Sequence, residues 1–164
     1  MSKRLRQYTG LLSSIAAYYI IHEGAHLMYA LSIGVFKQID LMGLGMQIDV
    51  YANRMTPAQM GIFCLAGSIA TAVIACILTV SAGAIASSKS PVFKSCMYYI
   101  TIAMLFIDPL YLSLLCGFLG GGDMNGICLL LPEAIARMIY GCMLATNMVI
   151  FFKEVLPKYK AAFE

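Results

Sequence analysis

Long apolar runs and short polar connections alternate along the chain. The runs extend from about Leu11 to Ile33, from about Pro57 to Ala86, from about Cys96 to Leu119, and from after Pro132 to about Phe152. Each reaches the roughly 20 residues that a helix needs to cross a hydrocarbon core of about 30 Å. In lipid only helices and closed barrels satisfy their own backbone groups. The pattern therefore predicts an all-α polytopic membrane protein with about four transmembrane helices.

Two stretches depart from this pattern. "VFKQIDLMGLGMQIDVYA", Val35 to Ala52, mixes polar and β-branched residues around Gly43 and Gly45. It predicts a short β-hairpin, with strands at about Phe36–Leu41 and Met46–Tyr51 joined by a glycine turn. "LGGGDMNG", Leu119 to Gly126, places three glycines in a row where a helix interior would not hold them. A broken or re-entrant segment is expected there, before the last helix. Pro132 and Glu133 then read as a helix start, with proline at the first position and an acid in the first turn. No repeat, low-complexity tract or linker divides the chain, so residues 1–164 read as a single membrane-embedded domain.

Composition strengthens the membrane reading. Hydrophobic residues make up 61% of the 164 residues and charged residues 12%, against about 25% charged in an ordinary soluble domain. Mean hydropathy is +0.84. With a cytoplasmic N-terminus and four crossings, eight of the eleven Lys and Arg fall on the cytoplasmic side, and Lys37, Arg54 and Arg137 on the other. The positive-inside rule then predicts a multi-pass integral protein of the lipid bilayer with both termini cytoplasmic. The net charge of +3 is a matter of topology and forms no basic face for nucleic acid. The six cysteines contain no CxxC pair and read as small apolar packing residues.

One polar feature sits inside the first apolar run. "HEGAH" places His22, Glu23 and His26 within five residues. Residues four apart on a helix lie one above the other on the same face, so His22 and His26 can direct ring nitrogens at one metal ion. Glu23, offset by about 100°, can reach a water on that metal as a general base. This HExxH arrangement is that of zinc hydrolases. Zinc there takes a third protein ligand, keeps one position open, and lowers the pKa of bound water. Ionisable residues are costly in lipid and are rare without a partner or a function, which favours Zn2+ over an accident of sequence. Gly24 and Ala25 between the histidines offer room for a close neighbour.

Two acids compete for the third ligand. Asp108 lies about 12 residues past Cys96, and His22 about 12 past Gly10; at 1.5 Å per residue both are roughly 18 Å deep. Asp123 follows the glycine triplet. A continuous helix from Cys96 would carry it about 40 Å along, so it can ligate only if the glycines break that helix.

These residues resemble the site-2 protease family of intramembrane zinc metalloproteases. "HEGAH" matches that family's first motif, and "GGGDMNGI", Gly120 to Ile127, is similar to its later Asp-Gly motif, with Met124 and Asn125 between the acid and Gly126. "LAGSIAT", Leu65 to Thr71, is similar to its Ala-Gly-Pro motif, with Ser68 in place of proline. The resemblance implies a minimal catalytic core without accessory domains. It implies metal ligands His22, His26 and Asp123, with Glu23 as the catalytic base of a zinc-dependent endopeptidase. It also implies a transmembrane protein or peptide as substrate, with the Val35–Ala52 stretch holding substrate in extended form. The alternatives are a non-enzymatic transmembrane metal carrier or sensor, and an adaptor in which the polar triplet only joins helices.

Overall fold

The computed structural model describes residues 2–42 and 45–163. Its first element is a 30-residue helix, α1, Lys3–Ser32. The Ser2 hydroxyl caps its start by accepting from Leu5 N–H, and Gly34, at φ +70°, turns the chain out of it. Strands β1, Phe36–Met42, and β2, Gly45–Val50, follow and pair antiparallel. They lie within a residue of the expected bounds. Gly43 of the expected turn lies outside the described residues. Lys37 Nζ and Asp49 Oδ2 meet at 2.6 Å across the hairpin. Hydrogen bonding to Lys37 holds the Asp49 carboxyl below the usual carboxylate range.

Helix α2, Pro57–Ala86, opens on a capping box formed by Thr56 and Gln59, with Pro57 in the first turn. Helix α3, Pro91–Leu110, opens on Ser90 as cap. It begins several residues before the apolar run does, and the Ser-Pro pair at its start explains why. It then passes through a π-helical turn, Tyr111–Leu115, into α4, Cys116–Leu119. Pro109 inside α3 cannot bond the Leu105 carbonyl, and Asn147 Nδ2 donates to that carbonyl instead, at 2.6 Å. Within the π-turn, Arg137 Nη1 donates to the Ser113 carbonyl at 3.3 Å.

At Gly120, Gly121 and Gly122 φ is +98°, +78° and +43°. Residues with a Cβ rarely adopt such values, and the helix ends there. The chain re-enters as a short helix, α5, Asp123–Ile127. Gly126 presses α5 onto α2 so closely that an added Cβ would stand 2.2 Å from Cys64 Sγ. Helix α6, Glu133–Ile150, continues through a second π-turn, Phe151–Val155, into α7, Leu156–Phe163. Tyr98, Phe151 and the buried Tyr159 cluster where α7 packs back on the bundle.

Three of these helical stretches are long and apolar enough to cross a membrane: Pro57–Ala86, Pro91–Leu119 and Glu133–Phe163. Helix α1 has the length, but its own serines, His22, Glu23 and His26 dilute the apolar run. The four expected crossings are thus three by composition. Helices α1, α2 and α3 pack against one another, and α6 covers α3. The polar face of α1 is enclosed between α2, α3 and α5.

Candidate metal centre

The i, i+4 spacing brings His22 and His26 to the buried face of α1, 7% and 3% exposed. Each ring is held through Nδ1. His26 Nδ1 lies 2.7 Å from the Phe63 carbonyl oxygen. A carbonyl can only accept, so this nitrogen carries the proton. His22 Nδ1 lies 3.3 Å from Asp108 Oδ1 and 3.4 Å from Oδ2, so it too donates. In the neutral rings both Nε2 atoms then present lone pairs, and they face each other at 3.1 Å.

Asp123 completes the set. Its Oδ2 lies 3.1 Å from His22 Nε2 and 3.5 Å from His26 Nε2. Three lone-pair atoms converging this closely repel one another unless a metal ion or a proton sits among them. The triangle fits a metal. Ligand atoms about 2.0–2.1 Å from a tetrahedral ion stand about 3.3 Å apart, and the three edges are 3.1, 3.1 and 3.5 Å. Among the described residues no Lys or Arg pairs with Glu23, Asp108 or Asp123; all six ion pairs lie elsewhere or involve the histidines themselves.

Glu23 is half-buried beside this triangle. One ligand atom from each of His22, Glu23 and His26 lies within 4.8 Å of the others. Its Oε2 accepts from Ile48 N–H of β2 at 3.2 Å. The carboxylates of Glu23 and Asp123 and the His26 ring open on one cavity of about 570 Å³, whose opposite wall is β2 from Met46 to Val50.

Of the sequence-predicted residues, His22, Glu23, His26 and Asp123 are brought together. Asp108 is level with His22, as its depth implied, but meets the Nδ1 edge of the ring and not the Nε2 edge. The close approach expected at Gly24 is absent: a Cβ there would meet nothing within 4 Å. It occurs at Gly67 on α2, where a Cβ would stand 2.7 Å from His22 Nε2 and 2.7 Å from His26 Nε2. That is the space a metal would fill. Gly67 is the glycine of "LAGSIAT", the stretch similar to the Ala-Gly-Pro motif, but its contact with the rings and the hydroxyls of Tyr18 and Thr71 that bond Asp108 were not foreseen from sequence. Tyr18 could have been, because it lies four residues before His22 on the same face.

Gly67→Ala therefore tests the centre. Alanine is the better helix former by about 1 kcal/mol, so the bundle should keep its helical circular dichroism. Bound zinc, measured by mass spectrometry on detergent-purified protein, should fall at least about tenfold. Undiminished zinc would put any metal elsewhere.

Comparison with protein-family models, with curated proteins and with solved structures finds no match for this chain, and the geometry of the centre stands as the ground for its function.

Proposed function

We propose that this protein is an intramembrane zinc endopeptidase, hydrolysing a peptide bond in or near a transmembrane segment of another membrane protein. The observation that carries this is the triangle of His22 Nε2, His26 Nε2 and Asp123 Oδ2 beside the Glu23 carboxylate, inside a largely apolar helix bundle. The likeness of "HEGAH" and "GGGDMNGI" to the site-2 protease motifs supports the same conclusion. In this account α1 is a fourth crossing that keeps its polar face turned inward, and both termini are cytoplasmic.

His22, His26 and Asp123 would hold the zinc. Bound there, zinc lowers the pKa of a coordinated water and polarises the scissile carbonyl. Glu23 takes a proton from the attacking water and passes it to the leaving amine. The Ile48 N–H holds one Glu23 oxygen, and the other oxygen has no hydrogen-bond donor among the described residues. The cavity of about 570 Å³ gives water a place beside the base.

Strand β2 supplies a surface for substrate. Ile48 stands opposite Ile39, yet its N–H points to Glu23 rather than to β1. The pair is thus of the non-hydrogen-bonded kind, and by the two-residue alternation Met46 presents its backbone to the same free edge. An extended substrate can pair with that edge and lie across the cavity.

Glu23→Gln should lower cleavage of a quenched-fluorescence library of transmembrane peptides by at least about 100-fold, with zinc still bound. Activity that survives this change contradicts the hydrolytic role and favours a metal carrier. Ile48→Pro removes the edge donor facing the base and should cost on the order of 100-fold in kcat/KM without loss of zinc. Ile39→Pro, whose N–H faces away from β2, should be the milder change. Unimpaired cleavage by the Ile48 variant would remove the edge from the account.

A further inference from the structure

The hydrolytic scheme makes no use of Asp108, the most deeply buried acid among the described residues at 2% exposed. It is enclosed by hydrogen-bond donors from two other helices. Tyr18 OH on α1 donates to Oδ1 at 2.5 Å, and the Thr71 hydroxyl on α2 donates to Oδ2. The remaining partner is His22 Nδ1, 3.3 Å from Oδ1. The Tyr18 ring also stacks on the His22 ring, with centroids 5.2 Å apart and planes 25° from parallel. No Lys or Arg pairs with this carboxylate among the described residues. A buried carboxyl without a Lys or Arg partner is costly, and packing alone does not explain why α3 carries one here.

We propose that Asp108 is a positioning residue of the metal centre. It acts in two ways. Its hydrogen bond fixes His22 with Nδ1 protonated and Nε2 free, and sets the ring's rotation so that Nε2 meets His26 and Asp123. Its charge, together with that of Asp123, offsets a divalent cation held by two neutral imidazoles. Outer partners of this kind orient metal-ligating histidines and raise their basicity. Tyr18 and Thr71 in turn hold Asp108, so the device joins α1, α2 and α3 at one point. Asp108 cannot itself be the third ligand in this arrangement, because the imidazole ring stands between it and the point that His26 and Asp123 face.

This proposal rests on the assignment of His22, His26 and Asp123 as ligands, and the experiment separates the two. Zinc affinity is measured by chelator competition on detergent-purified wild type, Asp108→Asn, Tyr18→Phe and Asp123→Asn. Cobalt-substituted visible spectra are recorded beside it. The Asn amide oxygen can still accept from Nδ1, so Asp108→Asn removes the charge and leaves the shape. It should bind one metal with the wild-type cobalt spectrum and an affinity lower by about 10- to 100-fold. Tyr18→Phe should weaken binding in the same direction by less, and keeps the test open if the Asn variant fails to fold. Asp123→Asn should lose the metal or change the cobalt spectrum. Wild-type affinity in Asp108→Asn, even with lowered thermal stability, would leave Asp108 a purely structural residue and overturn the proposal. A changed spectrum in Asp108→Asn with an unchanged one in Asp123→Asn would make Asp108 the ligand and overturn both assignments. Wild type that binds no zinc would overturn the metal centre itself.

Discussion

Two imidazole lone pairs and a carboxylate oxygen meet within 3.1 to 3.5 Å in the interior of an apolar bundle. That arrangement is unfavourable unless a metal ion or a proton joins the three atoms, and the surrounding helices hold it in place. The Phe63 carbonyl and Asp108 accept from the two Nδ1–H groups, which leaves Nε2 of each neutral ring free to ligate. Among the described residues no Lys or Arg pairs with these carboxylates.

Several local departures from ideal helix make the enclosure feasible. Gly67 lets α2 approach the two rings with nothing but a backbone. The glycine triplet turns the chain sharply after α4, so that Asp123 returns to the depth of the histidines instead of continuing past them. Pro109 and the adjoining π-turn disturb the hydrogen bonding of α3, and Asn147 and Arg137 of α6 bond the carbonyls involved. Such breaks are tolerated at membrane depth only where they line a protein interior, and here they line the centre and its cavity. The hairpin packs Ile48 into the core of the bundle, and the Ile48 N–H holds Glu23. In the proposed mechanism, substrate contact and proton transfer would fall to adjacent atoms.

Much of this was legible in the chain. The apolar runs marked the helices, with α2 matching from Pro57 to Ala86. Alternation marked the strands, and the i, i+4 histidines and the glycine triplet marked the two halves of the centre. What was not legible depends on how helices rotate against each other. Depth placed Asp108 level with His22, but only the rotation of α3 decides that it meets Nδ1 rather than Nε2. Gly24 lies between the histidines and Gly67 in the stretch similar to the Ala-Gly-Pro motif, and only packing shows that the close approach is at the second. The helix ends ran further than hydropathy implied, because caps such as Ser90 and the π-turns lie outside any apolar count.

The central claim is that His22, His26 and Asp123 share one zinc ion. X-ray absorption at the zinc edge of the purified protein reads that shell directly. The account predicts nitrogen and oxygen neighbours at about 2.0–2.1 Å with the outer-shell scattering of two imidazoles. A sulfur neighbour at about 2.3 Å, which would implicate a cysteine such as Cys64, or a shell without imidazole, would contradict it.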